Sequence, residues 1–337
     1  MRNLPLPATS PRIPGDFLPG LRSLNFPSPD STYAWDQYWQ DGRLASCGGE
    51  GGANYQPAIT EGWRRFFETL SDGARILDIC TGNGAVARLA ADAARVRNLN
   101  VTIDAVDSAM IHPTGLGPGA NMIRFSPRTP AEDLPFPDSS FDVIVGQYAL
   151  EYTDVERTLA ELRRVSRPTA NIRFVTHAAG SVVVQGAKRQ IEDTERLIAT
   201  GIFEAAEALA KAFGSGADPV GVDSARRNFG NALQALQVAA RTTEDVQMYQ
   251  NVGTVLVHAI QHQHQVGSRP VLDKITETAA AIKAHQARLS AMRRAALDES
   301  GVQAIAATAE RLWARKFGFE PLLRADGTEF GWVLSSA

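Results

Sequence analysis

The chain has 337 residues, of which 44% are hydrophobic and 21% are charged, and its 34 basic and 37 acidic side chains give a formal net charge of −3. This composition is typical of a globular protein with one large domain or two modest domains. Its arginine pairs are isolated, which argues against a nucleic-acid partner. No apolar run approaches the 18 residues that a membrane span requires.

The cysteine content is low. Cys47 and Cys80 are the two cysteines, and no C-x-x-C spacing occurs. The sequence therefore predicts neither a disulfide framework nor a metal site. The first residues lack the apolar segment of a signal peptide. We therefore expect a reducing compartment, and hence a cytoplasmic location.

The N-terminal region divides into two segments. Residues 1–32 contain seven prolines and predict an extended arm, because proline disrupts helices and central strands. The segment that follows is rich in aromatic residues: Tyr33, Trp35, Tyr38 and Trp39. It is either a helix that packs on the edge of a sheet or a lid over an active site. Four glycines between positions 48 and 52 then predict a hinge loop.

A strand, a turn and a helix follow a predicted helix over 55–70. Arg75–Ile79 has the composition of a buried parallel strand, Thr81–Gly84 predicts a tight turn, and helical spacing begins at Ala85. This arrangement is typical of nucleotide binding, because glycine lets the backbone approach a ligand and the helix start offers free N–H groups. Asp78 would repel a pyrophosphate. It would instead attract an ammonium group or pair with N–H groups of the turn.

Polar side chains follow the ends of the later strands. The strand 101–106 leads to Asp107, whose carboxylate can bind both hydroxyls of a ribose. Further strands are predicted over 121–126, 141–145 and 170–177, and a helix over 154–165. Residues at the ends of the last two strands are expected at the edge where open α/β sheets bind ligands: Gln147, Tyr148, Glu151, Tyr152 and His177.

Two motifs carry a resemblance to a known family. Residues 77–84 read L-D-x-x-T-G-x-G, and residues 131–143 read A-E-x-L-P-F-P-D-x-S-F-D-V. Together they resemble the class I S-adenosylmethionine-dependent methyltransferases. The resemblance implies an α/β fold with a seven-stranded, mostly parallel Rossmann-like sheet, and S-adenosyl-L-methionine as the cofactor. The positions that it assigns to cofactor binding are Asp78, Thr81, Gly82, Gly84, Asp107, Ser108, Met110, Ala131, Glu132 and Gln147.

The resemblance also implies roles within this set. Asp107 would bind the ribose, Ser108 and Met110 would lie beside the adenine, and the backbone N–H at 131 with the Glu132 carboxylate would meet its edge. The sequence departs from the pattern at four places, one of them at 168–170, where Pro-Thr-Ala stands in place of the glycine that usually precedes the fifth strand. Cys80 replaces the first glycine, as in the family's quinone-methylating branch. Prolines and glycines over 113–119 leave room for one helical turn, and Pro130 replaces a common acid.

About 120 residues, 179–300, separate the fifth strand from the sixth and form a predicted all-helical insertion. Four helical patterns begin near Leu197, Ser224, Thr243 and Pro270. The insertion predicts a cap on the substrate side, a homodimerisation element, or both. The methyltransferase domain would then comprise 33–178 and 301–337. Its last elements are a helix over 302–316 and strands over 317–323 and 328–334.

Two features of the insertion suggest contacts. Ile275, Ile282 and Leu289 recur every seven residues, like a short coiled-coil seam. His258 and His262 lie four residues apart with His264 nearby. That spacing can ligate a metal. No carboxylate lies close enough in sequence to complete a site, so a polar helix end is the favoured interpretation, and a substrate pocket is the third.

The expected reaction is methyl transfer to a small molecule. Such a reaction needs alignment and a dry site more than a catalytic side chain. A hydroxyl acceptor would use a base, for which His177, Tyr148 and Glu151 are the candidates. The family's Asn-Pro-Pro-Tyr motif for nucleobase amino groups is absent. We therefore predict O-, C- or N-methylation of a hydrophobic or aromatic metabolite, held beneath a lid that includes Tyr33, Trp35, Tyr38, Trp39 and Tyr152.

Two other functions stay open on the sequence. A protein on the same fold can bind S-adenosylmethionine without transferring its methyl group, because a fold does not fix a function. An NAD(P)-dependent oxidoreductase is also possible, since Gly82, Gly84 and Ala87 satisfy the G-x-G-x-x-A pattern of dinucleotide binding.

Overall fold

The computed structural model describes residues 31–46, 54–214, 218–243 and 245–337. The proline-rich arm up to residue 30, Cys47, and the glycines predicted as a hinge at 48, 49, 51 and 52 lie outside the described residues.

A seven-stranded sheet forms the centre of the fold. Its strands, in chain order, are β1 Arg75–Ile79, β2 Thr102–Val106, β3 Ile123–Ser126, β4 Phe141–Gln147, β5 Ser166–Thr176, β6 Phe317–Leu323 and β7 Glu329–Ser336. They lie in the order β3-β2-β1-β4-β5-β7-β6, and all neighbours are parallel except β7, which is antiparallel to both β5 and β6. The predicted seven-stranded, mostly parallel sheet is confirmed.

Eleven α-helices occur among the described residues. They are α1 Ser31–Gln40, α2 Pro57–Phe67, α3 Ala85–Val96, α4 Val155–Val165, α5 Val182–Ala199, α6 Ile202–Gly214, α7 Pro219–Ala239, α8 Val246–Gln261, α9 Gln263–Val266, α10 Ser268–Ala295 and α11 Glu299–Trp313. None of these helices is long and apolar enough to cross a membrane.

Both faces of the sheet are covered, because successive side chains of a strand point to opposite faces. Ile76 of β1 belongs to a buried cluster with Trp63 of α2 and with α3. Its neighbour Leu77 belongs to a second cluster with Leu159 of α4 and with α11. The apolar run that predicted a buried strand therefore supplies the core on both sides, and its polar end is left at one edge of the sheet.

The chain after β2 contains no α-helix before β3 and forms only a three-residue 3-10 turn, Ala120–Met122. This agrees with the limit that its prolines and glycines set. The strand predicted from 121 consequently begins at Ile123 instead.

Several other boundaries differ from the prediction. The strand predicted from 170 begins at Ser166, because the pairing with β4 resumes after an irregularity that accommodates Pro168. The helical pattern predicted near Leu197 is divided at Gly201, whose φ of +67° ends α5 and separates it from α6. Helix α5 itself was missed.

Helix starts follow capping side chains rather than the predicted first residues. Asp218 accepts the Gly221 N–H at 2.6 Å, so α7 begins before Ser224. Asp298 accepts the Gly301 N–H at 2.8 Å, so the helix predicted over 302–316 begins at Glu299. That helix ends at Trp313, next to Ala314 with a φ of +50°.

The described residues fall into two compact units. One contains the described residues up to Ile191 together with Ala287–Ala337 and holds the whole sheet, and the other is Glu192–Gln286. The helical unit has its own core, which includes Phe203, Tyr249 and Ile275. The predicted domain limits at 178 and 301 stay a prediction.

The seven-residue seam is buried within the chain. Ile275 and Ile282 lie in the core of the helical unit, and Leu289 packs with Ala187 and Ile191 in the sheet-containing unit. These side chains are therefore covered by their own chain rather than presented as a seam. The homodimer predicted through the insertion stays a prediction.

Candidate functional site

The turn after β1 is organised around the buried carboxylate of Asp78. Its Oδ2 accepts the Thr81 hydroxyl at 2.6 Å and the Ala87 backbone N–H at 3.1 Å. Burial raises the pKa of Asp78 to about 7, against the lowering effect of these two hydrogen bonds. Of the two roles that the sequence left open for Asp78, the structure shows the pairing with the turn.

Asp107 follows β2 and joins the same turn. Its Oδ2 accepts the Gly82 N–H and its Oδ1 accepts the Ala109 N–H, each at 2.8 Å. Burial raises the pKa of Asp107 to about 6, while the two N–H donors act in the opposite direction. The carboxylate is thus held rigidly between two loops, with each oxygen keeping lone pairs that can accept a ligand's hydroxyl groups.

A cavity of about 400 Å³ opens at the carboxyl ends of β1, β2 and β4. The predicted cofactor residues that line it are Thr81, Asp107, Ser108, Ala131, Glu132 and Gln147. Cys80, which has a φ of +48°, also lines it; the backbone conformation explains why glycine is usual at that position.

The other four predicted cofactor residues do not line the cavity. Asp78 and Gly82 hold the turn and Asp107, as described above. Gly84 has a φ of +89° and packs against Phe125, where an added Cβ would lie 2.7 Å from the ring. The Met110 N–H donates to Asp36 of α1 at 2.6 Å. These residues support the cavity rather than face it.

The aromatic segment forms helix α1 and contributes directly to the cavity. Trp35 and Trp39 line it and stack on one another at 5.8 Å, and Trp35 meets the edge of Tyr152 at 5.9 Å. Tyr38 lies behind them with its hydroxyl donating to the Ala45 carbonyl at 2.9 Å. Tyr33 is 42% exposed and does not line the cavity. Of the five predicted lid residues, Trp35, Trp39 and Tyr152 therefore line the cavity, and Tyr33 and Tyr38 do not.

Trp39 covers the glycine turn. Gly82 has a φ of +56°, and a Cβ added to it would lie 2.4 Å from the Trp39 ring. Any side chain at position 82 would therefore displace the indole as well as strain the backbone.

Two polar side chains that the sequence analysis missed attach α1 to the loops after β1 and β2. The Asn83 amide donates to the carbonyls of Trp39 and Arg43 at 3.0 and 2.7 Å, and it accepts the His112 N–H at 2.8 Å. Asp36 accepts the Met110 N–H and pairs with Arg128. We call Asn83 and Asp36 the α1 anchor. Asn83 lies inside the glycine motif, but no local signal reveals partners about 40 residues away.

The three candidate catalytic residues come together. His177 Nδ1 lies 2.8 Å from Glu151 Oε1, which also accepts the His177 backbone N–H. The Tyr148 ring stacks on the imidazole at 3.9 Å, with Tyr152 edge-on at 5.7 Å. Tyr148, Glu151 and Tyr152 are lining residues, whereas His177 is not. The side chains of His177 and Glu151 are 1% and 0% exposed. The pair is therefore buried, with Glu151 at the cavity wall and His177 behind it.

Gln147 is fixed beside this group. The Trp63 indole N–H donates to its Oε1 at 2.7 Å, whereas its buried Nε2 has no hydrogen-bond partner among the described residues. A buried amide donor without a partner is unfavourable. It is therefore available to an acceptor group of a bound ligand.

The last turns of α10 complete the cavity. Ala291, Arg294 and Ala295 line it, and they lie on one face of the helix because they are three and four residues apart. The Arg288 guanidinium lies 4.4 Å from the centre of the Tyr38 ring of α1, within reach of a cation–π interaction. The sequence analysis did not single out these residues.

Two histidines of the helical unit, His258 and His262, line a separate groove. His258 and His262 stack at 4.0 Å and line it together with Asn251 and Lys274. His262 Nδ1 lies 2.9 Å from the His258 carbonyl, and His264 Nδ1 lies 3.1 Å from that of Gln261. Within the described part of the chain, no three histidine, cysteine, aspartate or glutamate side chains form a group that could hold a metal ion.

The central part of the chain is similar to known methyltransferases. Residues 77–174 match a family model described as a methyltransferase domain. Over 127 residues the chain is 30% identical to the ubiquinone/menaquinone biosynthesis C-methyltransferase UbiE of Xanthomonas oryzae pv. oryzae, a match that covers 35% of this chain and 49% of that protein. Over 62 residues it is 40% identical to the uncharacterized methyltransferase YcgJ of Bacillus subtilis, covering 18% and 24%.

The chain spans about half the length of the UbiE proteins that it matches. Among solved structures, the [4+2]-cyclase SpnF aligns over 86% of this chain and 83% of that one, with 14% identity and a TM-score of 0.37. A putative methyltransferase from Bacillus halodurans aligns over 40% and 57%, with 18% identity and a TM-score of 0.31.

Proposed function

We propose that this chain, whose residues 77–174 carry a class I S-adenosylmethionine-dependent methyltransferase domain, transfers a methyl group from S-adenosylmethionine to a small-molecule acceptor in the cavity at the end of the sheet. The observation that carries the proposal is the Asp107 carboxylate. It accepts the Gly82 N–H of the turn after β1 and lines the cavity. A carboxylate at the end of the second strand can bind both hydroxyls of a ribose.

The residues present fit this cofactor. Asp107 would bind the ribose, and Ser108, Ala131 and Glu132 would surround the adenine. The unpaired Gln147 Nε2 is a donor for the cofactor's carboxylate. The volume of about 400 Å³ is in the range of small-ligand sites, which supports binding of a nucleoside of this size.

The chemistry requires alignment. When bound, S-adenosylmethionine would supply an electrophilic methyl group for the acceptor's electron pair, and the electrons of the sulfur–methyl bond would stay on sulfur. Trp35, Trp39 and Tyr152 would exclude water and orient a flat apolar acceptor. An aromatic acceptor is also consistent with the quinone-pathway relative, and we propose that class here.

We assign His177 and Glu151 to positioning rather than to proton transfer. Their side chains are enclosed, hydrogen-bonded to each other and in contact with Tyr148 and Tyr152. A base must reach the proton that it removes, and His177 does not line the cavity. The pair instead fixes the two tyrosine rings that line the cavity. An acceptor proton would then leave to solvent.

Two measurements test this function. S-Adenosylhomocysteine should raise the melting temperature and bind in calorimetry, and NAD⁺ should do neither. Tritiated methyl transfer from S-adenosylmethionine to a metabolite extract should label small molecules. Binding of NAD⁺ alone would indicate an oxidoreductase. Binding of S-adenosylhomocysteine without transfer to any extract would favour a non-methylating protein.

The proposal also covers the oligomeric state and the cellular location of the protein. We propose a homodimer through the helical unit and a cytoplasmic enzyme, and light scattering of the purified chain measures the first of these directly. A monomeric mass across the micromolar range would contradict the dimer without affecting the proposed reaction.

A further inference from the structure

Among the described residues that line the cavity, Arg294 is the one with a basic side chain. It belongs to the last turn of α10 and is exposed, with Ala291 and Ala295 beside it on the same face of the helix. Because its neighbours are alanines, no bulky side chain from this face separates the guanidinium from the cavity.

Each acidic side chain of the cavity has a partner for at least one of its oxygens, although Glu151 Oε2 has none among the described residues. Asp107 accepts two backbone N–H groups. Glu132 accepts the Asp154 N–H at 2.9 Å, and Glu151 is bonded to His177. None of these carboxylates pairs with Arg294, and Arg294 makes no ion pair or hydrogen bond with any residue that the structure describes.

A role in helix capping does not account for this placement. Basic side chains in the last turn of a helix interact favourably with its dipole, and Arg293 is equally able to do so from the same turn. Arg293 is exposed but does not line the cavity. The two arginines are therefore a matched pair that differ in whether they face the ligand site.

We propose that Arg294 binds a carboxylate carried by the methyl acceptor, so that the substrate class is an aromatic acid rather than a neutral aromatic compound. A guanidinium presents a planar fork of donors that matches a carboxylate in a bidentate pair. This inference rests on the proposed function. The alternative is that Arg294 binds the carboxylate of the cofactor, for which the unpaired Gln147 Nε2 is already an available donor.

The experiment compares wild type, Arg294→Gln, Arg294→Lys and Arg293→Gln. Calorimetry first measures S-adenosylhomocysteine and its decarboxylated analogue, the aminopropyl thioadenosine. The protein saturated with S-adenosylhomocysteine is then titrated with paired probes that differ by one carboxylate: 3,4-dihydroxybenzoate against catechol, 4-hydroxycinnamate against 4-vinylphenol, and 1-hydroxy-2-naphthoate against 1-naphthol.

We expect wild type and Arg293→Gln to bind at least one acid about tenfold to a hundredfold more tightly than its neutral partner, as a charge-assisted pair implies. Arg294→Gln should abolish that preference and change affinity for S-adenosylhomocysteine less than threefold. Arg294→Lys should retain part of the preference, because it keeps the charge without the fork.

Three results would overturn the inference. The first is that wild type prefers no acid over its neutral partner. The second is that Arg294→Gln keeps the preference. The third is that Arg294→Gln has a lower affinity for S-adenosylhomocysteine but an unchanged affinity for the decarboxylated analogue. The last result would assign Arg294 to the cofactor. A wild-type protein that fails to bind S-adenosylhomocysteine would instead remove the proposed function, so the two failures are distinguishable.

Discussion

The Gly82 amide donates to Asp107 Oδ2 across 2.8 Å and thereby joins the turn after β1 to the end of β2. The same carboxylate accepts the Ala109 N–H through its other oxygen. The two loops that would surround the ribose are therefore connected before any ligand binds. Such preorganisation lowers the entropic penalty of binding.

Removal of this carboxylate should weaken cofactor binding strongly. We expect Asp107→Ala to lower the affinity for S-adenosylhomocysteine at least about tenfold, because each hydrogen bond to a charged group contributes roughly 1.5–3 kcal/mol. Wild-type affinity should also fall as the pH drops through about 6, the raised pKa of Asp107, since protonation removes the negative acceptor. Calorimetry between pH 5 and pH 8 measures both effects.

Asp92→Ala on the exposed side of α3 is the matched control for Asp107→Ala. The Asp92 side chain is 55% exposed, and its ion pair with Arg95 is long, at 3.9 Å. It should bind S-adenosylhomocysteine as wild type does at every pH. Equal affinity of Asp107→Ala and wild type would mean that the ribose binds elsewhere.

The buried Asp78 should make the protein less stable as the pH rises. Its pKa is about 7 in the fold and 3.8 as an ordinary aspartate, so its ionised form is disfavoured by folding. The corresponding stability is present below pH 3.8 and is lost as the pH rises through about 7. The unfolding free energy of Asp78→Asn relative to wild type should therefore rise by about 4 kcal/mol between pH 4 and pH 8.

Urea denaturation at four pH values measures that shift. The comparison with Asp78→Asn isolates this group from carboxylates with the opposite behaviour, such as Glu161, whose pKa is lowered by Arg164. A difference that stays constant with pH would show that Asp78 ionises in the fold as readily as in the unfolded chain.

A side chain at position 82 should be far more damaging than one at position 73. Both glycines have positive φ, +56° and +76°, but a Cβ at Gly73 has nothing within 4 Å, whereas one at Gly82 meets Trp39. We expect Gly73→Ala to lose about 1 kcal/mol from backbone strain and Gly82→Ala to lose about 1–3 kcal/mol more from the collision. Thermal and urea denaturation measure both.

Trp39→Ala added to Gly82→Ala tests the cause. The double variant should lose less stability than the sum of the two single variants, since the collision is then absent. An additive result would mean that the indole does not oppose a side chain at position 82.

The α1 anchor should determine how firmly α1 is held. Asn83→Ala removes three hydrogen bonds that link α1 and the loop after β2 to the glycine turn. We expect hydrogen exchange of the amides in 31–40 to accelerate at least about tenfold, equivalent to roughly 1.4 kcal/mol of local opening. Asn121→Ala, an exposed position, is the control and should leave exchange in α1 unchanged. Unchanged exchange in Asn83→Ala would show that the helix is held by its aromatic contacts instead.

Prediction from the sequence is most accurate for structural features that depend on residues close together in the chain. The strand–turn–helix around Asp78 was predicted because its apolar run, glycines and helical spacing are all contained in about 20 residues. The pairing of Glu151 with His177 was anticipated only as a shared edge of the sheet, since parallel strands end together.

The missed features depend on distant contacts. Asn83 donates hydrogen bonds to the carbonyls of residues 39 and 43. Arg294 lines the cavity although it lies more than 100 residues after the end of the fifth strand. Neither the contacts of Asn83 nor the position of Arg294 produces a periodic pattern or a motif in the sequence. Helix α5 was missed for a different reason: its first three residues, Val182–Val184, are β-branched, and local propensity does not assign such a run to a helix.

The buried Glu151–His177 pair should affect stability and rate without controlling the pH dependence of the reaction. Glu151→Gln and His177→Gln should each lower the unfolding free energy by about 1–3 kcal/mol, because a partner is left unsatisfied in the interior. If the pair positions Tyr148 and Tyr152, kcat falls while the shape of its pH profile stays that of wild type. Glu156→Gln, exposed on α4, is the control and should match wild type in both. A profile that loses one ionisation in either variant would instead identify the pair as the general base.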